Sequence, residues 1–324
     1  MTPPAAEGSQ LSLERIREAA EVVDPVFLRT PQFVSDELSD RLGLQVLCKV
    51  ETANPVRSFK GRGADYLVHR LGQAEAALAC ASAGNFGQGL AYAARSYDLP
   101  LHVFAAETAN PLKVERMRRL GAQVHLAGAD FDTAKDIARR QAGEQGWTYV
   151  EDGREPAIAE GAGTIAVELA AWPERLDAVL VPVGNGALIN GVGRWLKAMA
   201  PGLRVVGACA ERAPSMERSW RQRRMVVMEH ADTIADGIAV RAPVPEALAE
   251  MAHTVDDMVL VSDEQIVTAM RLAFRGLGLV IEPAGAAGLA AALALRHRLA
   301  GKLVAVPLCG GNLTPAQIRR WLTD

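Results

Sequence analysis

The chain has 324 residues, 49% of them hydrophobic and 23% charged, with a formal net charge of −3. That near-neutral balance gives no electrostatic reason to expect a nucleic acid or an anionic membrane as partner. The length exceeds one ordinary hydrophobic core, so two domains or one large α/β unit are expected.

The N-terminal MTPPAAEGSQ is short, polar and proline-rich, unlike a signal peptide. No apolar run of about 18 residues occurs, so a cytoplasmic protein is expected. Seven stretches then read as buried strands: LQVLCKVE (44–51), AALACASA (76–83), LHVFAAE (101–107), AQVHLAG (122–128), DAVLVPVG (177–184), LRVVGACAE (203–211) and KLVAVPLCGG (302–311). Val, Leu and Ala occupy both faces, the pattern of parallel strands covered by helices on either side. Amphipathic segments such as NFGQGLAYAARSYD (85–98) and TAKDIARRQAGEQG (133–146) lie between them. The alternation predicts βαβ units and an open α/β sheet. The basic run RSWRQRR (218–224), with Trp220 its one aromatic, reads as a solvated helix face. The four cysteines (Cys48, Cys80, Cys209, Cys309) are far apart and form no CxxC pair, and the histidines show no ligand-like spacing. Neither a disulfide framework nor a zinc site follows.

In open α/β sheets ligands bind where strands end and loops lead into helices. Three predicted strands end in glycine-containing loops, ASAGNFGQG (81–89), PVGNGALING (182–191) and PLCGGNL (307–313), and a fourth loop reads SFKGRGA (58–64). Lys60 sits there between Phe59 and Gly61. On this stretch alone it reads as a helix-start lysine with a packed stem. The competing reading is an amine desolvated in an apolar pocket and so made nucleophilic. Residues Gly184, Asn185, Gly186, Ala187 and Leu188 precede an amphipathic helix, where converging N–H groups and the macrodipole favour an anion. Ser82, Ala83, Gly84 and Asn85 form a short-residue strand end suited to an anion nest.

In order and spacing these motifs resemble the pyridoxal-phosphate enzymes of the tryptophan-synthase-β fold, known as fold type II. Within that fold they are most similar to the serine/threonine dehydratases. The likeness also takes in RTPQFVSDELSDRLG (29–43), GACAERAPSM (207–216), TIADGIAV (233–240), EPAGAAGLAA (282–291) and CGGN (309–312). It runs from about residue 14 to the end.

The resemblance implies two open, twisted, mostly parallel α/β domains with pyridoxal 5′-phosphate between them. The larger would comprise residues 1–63 and 154–324, and the smaller, carrying the asparagine loop, residues 64–153. Lys60 would carry the cofactor aldehyde and later act as the base at the substrate Cα. Asn85 would bond the cofactor's phenolic oxygen, Gly184 to Leu188 its phosphate, and Cys309 would face its ring nitrogen. Phe59, Gly237 and Glu282 would line the cofactor pocket. Ser82, Ala83, Gly84, Asn85 and Phe86 would surround the substrate. Departures are visible: the phosphate loop carries Asn185 and Ala187 where the family has glycines, and Phe86 stands where dehydratases commonly have histidine.

The expected reaction is β-elimination from a small β-hydroxy L-amino acid such as L-threonine or L-serine. Three rivals are weighed. Serine racemases carry a serine where this chain has Ala83, and cysteine-synthase-like enzymes carry a threonine-rich loop in place of SAGN. An inactive regulatory relative would not need both Lys60 and Asn85. 3-Hydroxyaspartate and β-phenylserine share the reacting atoms with threonine. Cys209, Ala213 and Ser215 stand where racemase-like relatives place metal-binding carboxylates, so no divalent metal is expected. Relatives imply a homodimer or homotetramer. Only 12 residues follow Asn312, so feedback by isoleucine through an appended domain is not expected.

Overall fold

The computed structural model describes residues 8–72 and 76–323. The polar N-terminal stretch lies, through residue 7, outside the described residues. Among the described residues, ten strands form two sheets. The larger has the order β1-β2-β10-β7-β8-β9, with β1 Gln32–Val34, β2 Gln45–Val50, β7 Ala178–Pro182, β8 Arg204–Ala210, β9 Asp257–Val261 and β10 Leu303–Leu308. The smaller has the order β5-β4-β3-β6, with β3 Leu78–Ala81, β4 Leu101–Ala105, β5 Gln123–Leu126 and β6 Thr148–Tyr149. Every pairing is parallel except β1 on β2.

All seven predicted strands are present. β7 and β10 are buried along their whole length, as residues covered on both faces must be. The sequence reading missed β1, β6 and β9. β1 and β6 are three and two residues long. β9 (DMVLV) is only half-buried at the sheet edge and breaks the strong apolar pattern. The run 218–224 behaves as expected, with Arg218, Arg221, Arg223 and Arg224 exposed at or just beyond the Ser215–Gln222 helix.

The Lys60–Leu71 helix begins the smaller sheet's side of the molecule and packs on the Pro156–Ala170 helix. The two glycines of KGRG permit that approach. A Cβ on Gly61 would lie 2.2 Å from the Phe27 ring, and one on Gly63 would lie 2.4 Å from the Ile158 carbonyl oxygen. Between those glycines Arg62 is fully buried. Its guanidinium donates to Glu51 Oε2 at 2.8 Å and Oε1 at 2.9 Å, to Glu168 Oε1 at 2.6 Å and to Thr164 Oγ1 at 2.9 Å. The helix that starts with Lys60 is thereby pinned to β2's end and to a neighbouring helix.

Candidate active site

One cavity of about 1250 Å³ opens between the two sheets, at the carboxyl ends of β3, β7 and β10. The structure brings every residue singled out in the sequence to its walls: Phe59, Lys60, the 82–86 loop, the 184–188 loop, Gly237, Glu282 and Cys309. Backbone bonds lock the Lys60 segment to the Cys309 segment. Phe59 N–H donates to the Cys309 carbonyl at 3.0 Å, Gly311 N–H donates to the Arg57 carbonyl at 2.9 Å, and Ser58 bridges Gly310.

Lys60 heads its helix with the side chain 15% exposed. Phe59 and Phe86 supply the apolar walls, their ring centroids 4.9 and 5.9 Å from Nζ. The pocket is not purely apolar as the sequence suggested. Lys60 Nζ donates to Asp152 Oδ2 at 2.6 Å, and the charge is neutralised by a partner 92 residues away. Asp152 was not foreseen, because a lone carboxylate after a two-residue strand has no local signature.

The 184–188 loop makes a cradle for an anion. A Cβ on Gly184 would lie 2.8 Å from the Gly237 carbonyl oxygen, and one on Gly237 would lie 2.9 Å from Ala284 Cβ. These glycines let three chain segments close on one another. The left-handed position is Gly186 (φ +91°), while Asn185 and Ala187 take ordinary conformations, so both departures from all-glycine are tolerated. The Ala187–Met199 helix follows with no side-chain cap, leaving its first N–H groups for a ligand.

The 82–86 loop is organised by Ser82. Its buried hydroxyl accepts from Gly84 N–H at 3.2 Å and Gly87 N–H at 2.9 Å, shaping the turn into the Asn85–Ser96 helix. Ser82 thereby takes the Gly87 N–H of that helix's first turn, while the N-cap residue, Gly84, brings no side chain of its own. Asn85 is held by two residues far away in the chain. Its amide donates to Glu282 Oε1 at 2.5 Å and its carbonyl accepts from Asn312 Nδ2 at 2.8 Å. One N–H of the Asn85 amide is left for a ligand. Glu282 also accepts from Asn312 N–H at 3.0 Å. Burial raises the Glu282 carboxyl to about 7, with Asp236 adding to the rise and Lys113, Asn312 and Asn85 opposing it. Lys113, itself ion-paired with Asp236, and Asn312 are further residues of this network.

The Cys309 thiol is buried and donates to the Pro307 carbonyl at 3.2 Å. Burial pushes its pKa well above the ordinary thiol value, with Glu51 and Glu282 adding to the rise, so it stays a neutral S–H. Among the described residues no group of three or more His, Cys, Asp or Glu is placed to hold a metal ion, and no helix is long and apolar enough to cross a membrane.

These features fit pyridoxal phosphate: a lysine amine in the cavity, a glycine-closed helix head for the phosphate, and an Asn85 amide N–H left as a donor beside them. Comparisons with known proteins agree. The model of the family described as "Pyridoxal-phosphate dependent enzyme" matches residues 23–310. The L-threonine ammonia-lyase of Thermotoga maritima is 36% identical over 312 residues, 96% of this chain and 78% of that protein. The beta-hydroxyaspartate dehydratase of Paracoccus denitrificans is 33% identical over 303 residues, 93% of this chain and 96% of that protein. Among solved structures, maize serine racemase superposes with a TM-score of 0.89 at 27% identity, covering 96% of each chain. This chain belongs to the pyridoxal-phosphate-dependent enzyme family and has its fold type II architecture.

Proposed function

We propose that this protein removes water from a small β-hydroxy L-amino acid, L-threonine or L-serine, and releases a 2-oxo acid and ammonia. It acts as a pyridoxal-phosphate-dependent ammonia-lyase. The observation that carries the reading is the convergence of Lys60, the helix head at Asn85 and the neutral Cys309 thiol on one cavity. When bound, the cofactor supplies the electron sink that acidifies the substrate Cα–H and a phosphate able to carry a proton at neutral pH.

This chain's residues divide the remaining work. Lys60 Nζ takes the Cα proton, the one nearby amine whose helix is pinned through Arg62. The first N–H groups of the Asn85–Ser96 helix that Ser82 leaves free bind the α-carboxylate, an assignment supported by the N-cap residue being Gly84, which has no side chain to take them. Phe59 and Phe86 exclude water around Nζ. Cys309 would offer the bound cofactor's ring no more than a neutral S–H, which cannot hold a proton there as a carboxylate would. That would favour loss of the β-hydroxyl over prolonged negative charge at Cα. The released enamine takes up water in solution to give the keto acid and ammonia, which balances the water lost.

The likeness to a serine racemase supports a second reading, inversion at Cα. That chemistry needs a proton delivered opposite Lys60, and the Ala83 methyl in the cavity wall has none to give. Keto-acid formation from the L-substrate is therefore expected to exceed conversion to the D-form by more than about tenfold, some ~1.4 kcal/mol in barrier. Ala83→Ser is expected to raise the racemised share. Chiral chromatography of both proteins' reactions decides it, and comparable D-isomer and keto-acid yields from the wild type would favour the racemase.

Glu282 gives a pH dependence with a definite sign. Ionised, it accepts from both Asn85 and Asn312 with full charge; protonated, it accepts from them more weakly and holds Asn85 less firmly. Ionisation grows as pH rises through about 7, so kcat/KM is expected to climb with pH across that value. Glu282→Gln should flatten the climb, and a wild-type-like inflection in the variant would show that another group titrates.

A further inference from the structure

The Lys60–Asp152 pair carries an inference about the substrate's side chain. It rests on the elimination reading and goes past it. Both side chains are mostly buried, at 15% and 13% exposure, and Asp152 Oδ1 is buried without a hydrogen-bond partner. The Lys60 ammonium is thus what neutralises a carboxylate facing the cavity. To act as a base at Cα, Lys60 must first be without its proton. Asp152 then faces the substrate with no cation, a costly state for a buried carboxylate.

Nothing else on the wall replaces that cation. Lys113 is paired with Asp236, Lys135 with Glu151, and Arg241 with Asp132. The cavity is lined by nine carboxylic acids against four lysines and arginines, so its field also favours a positive guest. The substrate's own α-amine is engaged by the cofactor and its α-carboxylate by a helix head, so neither serves Asp152.

We propose that Asp152 is a specificity-determining residue, and that the preferred substrate is a β-hydroxy α-amino acid whose side chain carries a second, cationic amine. A side chain ending in carboxylate, as in β-hydroxyaspartate, would meet Asp152 with like charge. The inference separates this chain from its Paracoccus relative in substrate charge.

The test is an affinity order measured by calorimetry on the cofactor-loaded protein with three probes lacking the β-hydroxyl: L-2,4-diaminobutyrate, L-2-aminobutyrate and L-aspartate. Diaminobutyrate should bind at least about tenfold tighter than 2-aminobutyrate, and aspartate about tenfold weaker, differences of one decade in Kd each way. Asp152→Asn should bring the three together. No preference for diaminobutyrate in the wild type would overturn the proposal, as would a preference that survives in Asp152→Asn. The wild-type order needs no variant, so poor folding of Asp152→Asn does not shelter the idea. Keto-acid release from L-threonine and L-serine is scored separately; its absence would sink the elimination reading while leaving the affinity order to be judged alone.

Discussion

Lys60→Ala is expected to lower keto-acid formation from L-threonine and L-serine by at least about 10³-fold, within the range a positioned general base supplies. The variant should also lose the visible absorbance that comes with cofactor held on a lysine. The expectation follows from position: Nζ points into the cavity between Phe59 and Phe86, and the helix it heads is anchored two residues later by buried Arg62. The other two cavity lysines are ion-paired as Lys60 is, but Lys113 and Lys135 sit within the Pro111–Arg119 and Phe131–Gln145 helices and not against Phe59 and Phe86 on the segment that Arg62 pins. Circular dichroism serves as the folding control. Activity within about tenfold of wild type in a folded Lys60→Ala protein would remove the lysine from the mechanism.

The second large effect concerns stability. Arg62→Leu is expected to cost about 3–5 kcal/mol, the cost of breaking a buried ion pair by removing one partner. Glu51 is fully buried, and Arg62 donates to both of its oxygens. Glu168 would keep Lys49 and the Arg29 N–H, and Thr164 would lose its donor. Arg62→Lys should recover only part, because one ammonium cannot reproduce a planar fork that reaches Glu51 and Glu168 together. Urea unfolding of the cofactor-free proteins measures both. A cost below about 1 kcal/mol for Arg62→Leu, the size of a surface pair, would show that the network is not what holds the Lys60 helix.

The sheets were legible because parallel strands covered on both faces must be apolar on both, as LVAVPL of β10 and AVLVP of β7 are. β9 escaped because it lies at the sheet edge, half-buried and begun by Asp257. The glycine loops were legible for a related reason. Close approach of Gly184 to Gly237 and the positive φ of Gly186 are backbone demands that few other residues meet, so they leave a mark in the sequence. Electrostatic partners leave none. Asp152 meets Lys60 across 92 residues, and Asn85 meets Glu282 across 197. Such pairs are made by the closing of two sheets on one cavity, and no local spacing encodes them. Lys60 was read as desolvated among apolar neighbours; folding adds a counter-charge, and that addition turns a general lysine site into one that discriminates by charge.

The central claim is that Lys60 holds the cofactor and serves the reaction. Reduction of the cofactor-loaded protein with borohydride, followed by peptide mapping, tests it most directly. The account predicts a single pyridoxyl adduct, on Lys60 in SFKGRGA. An adduct on Lys113, Lys135 or any other lysine, with Lys60 unmodified, would contradict it.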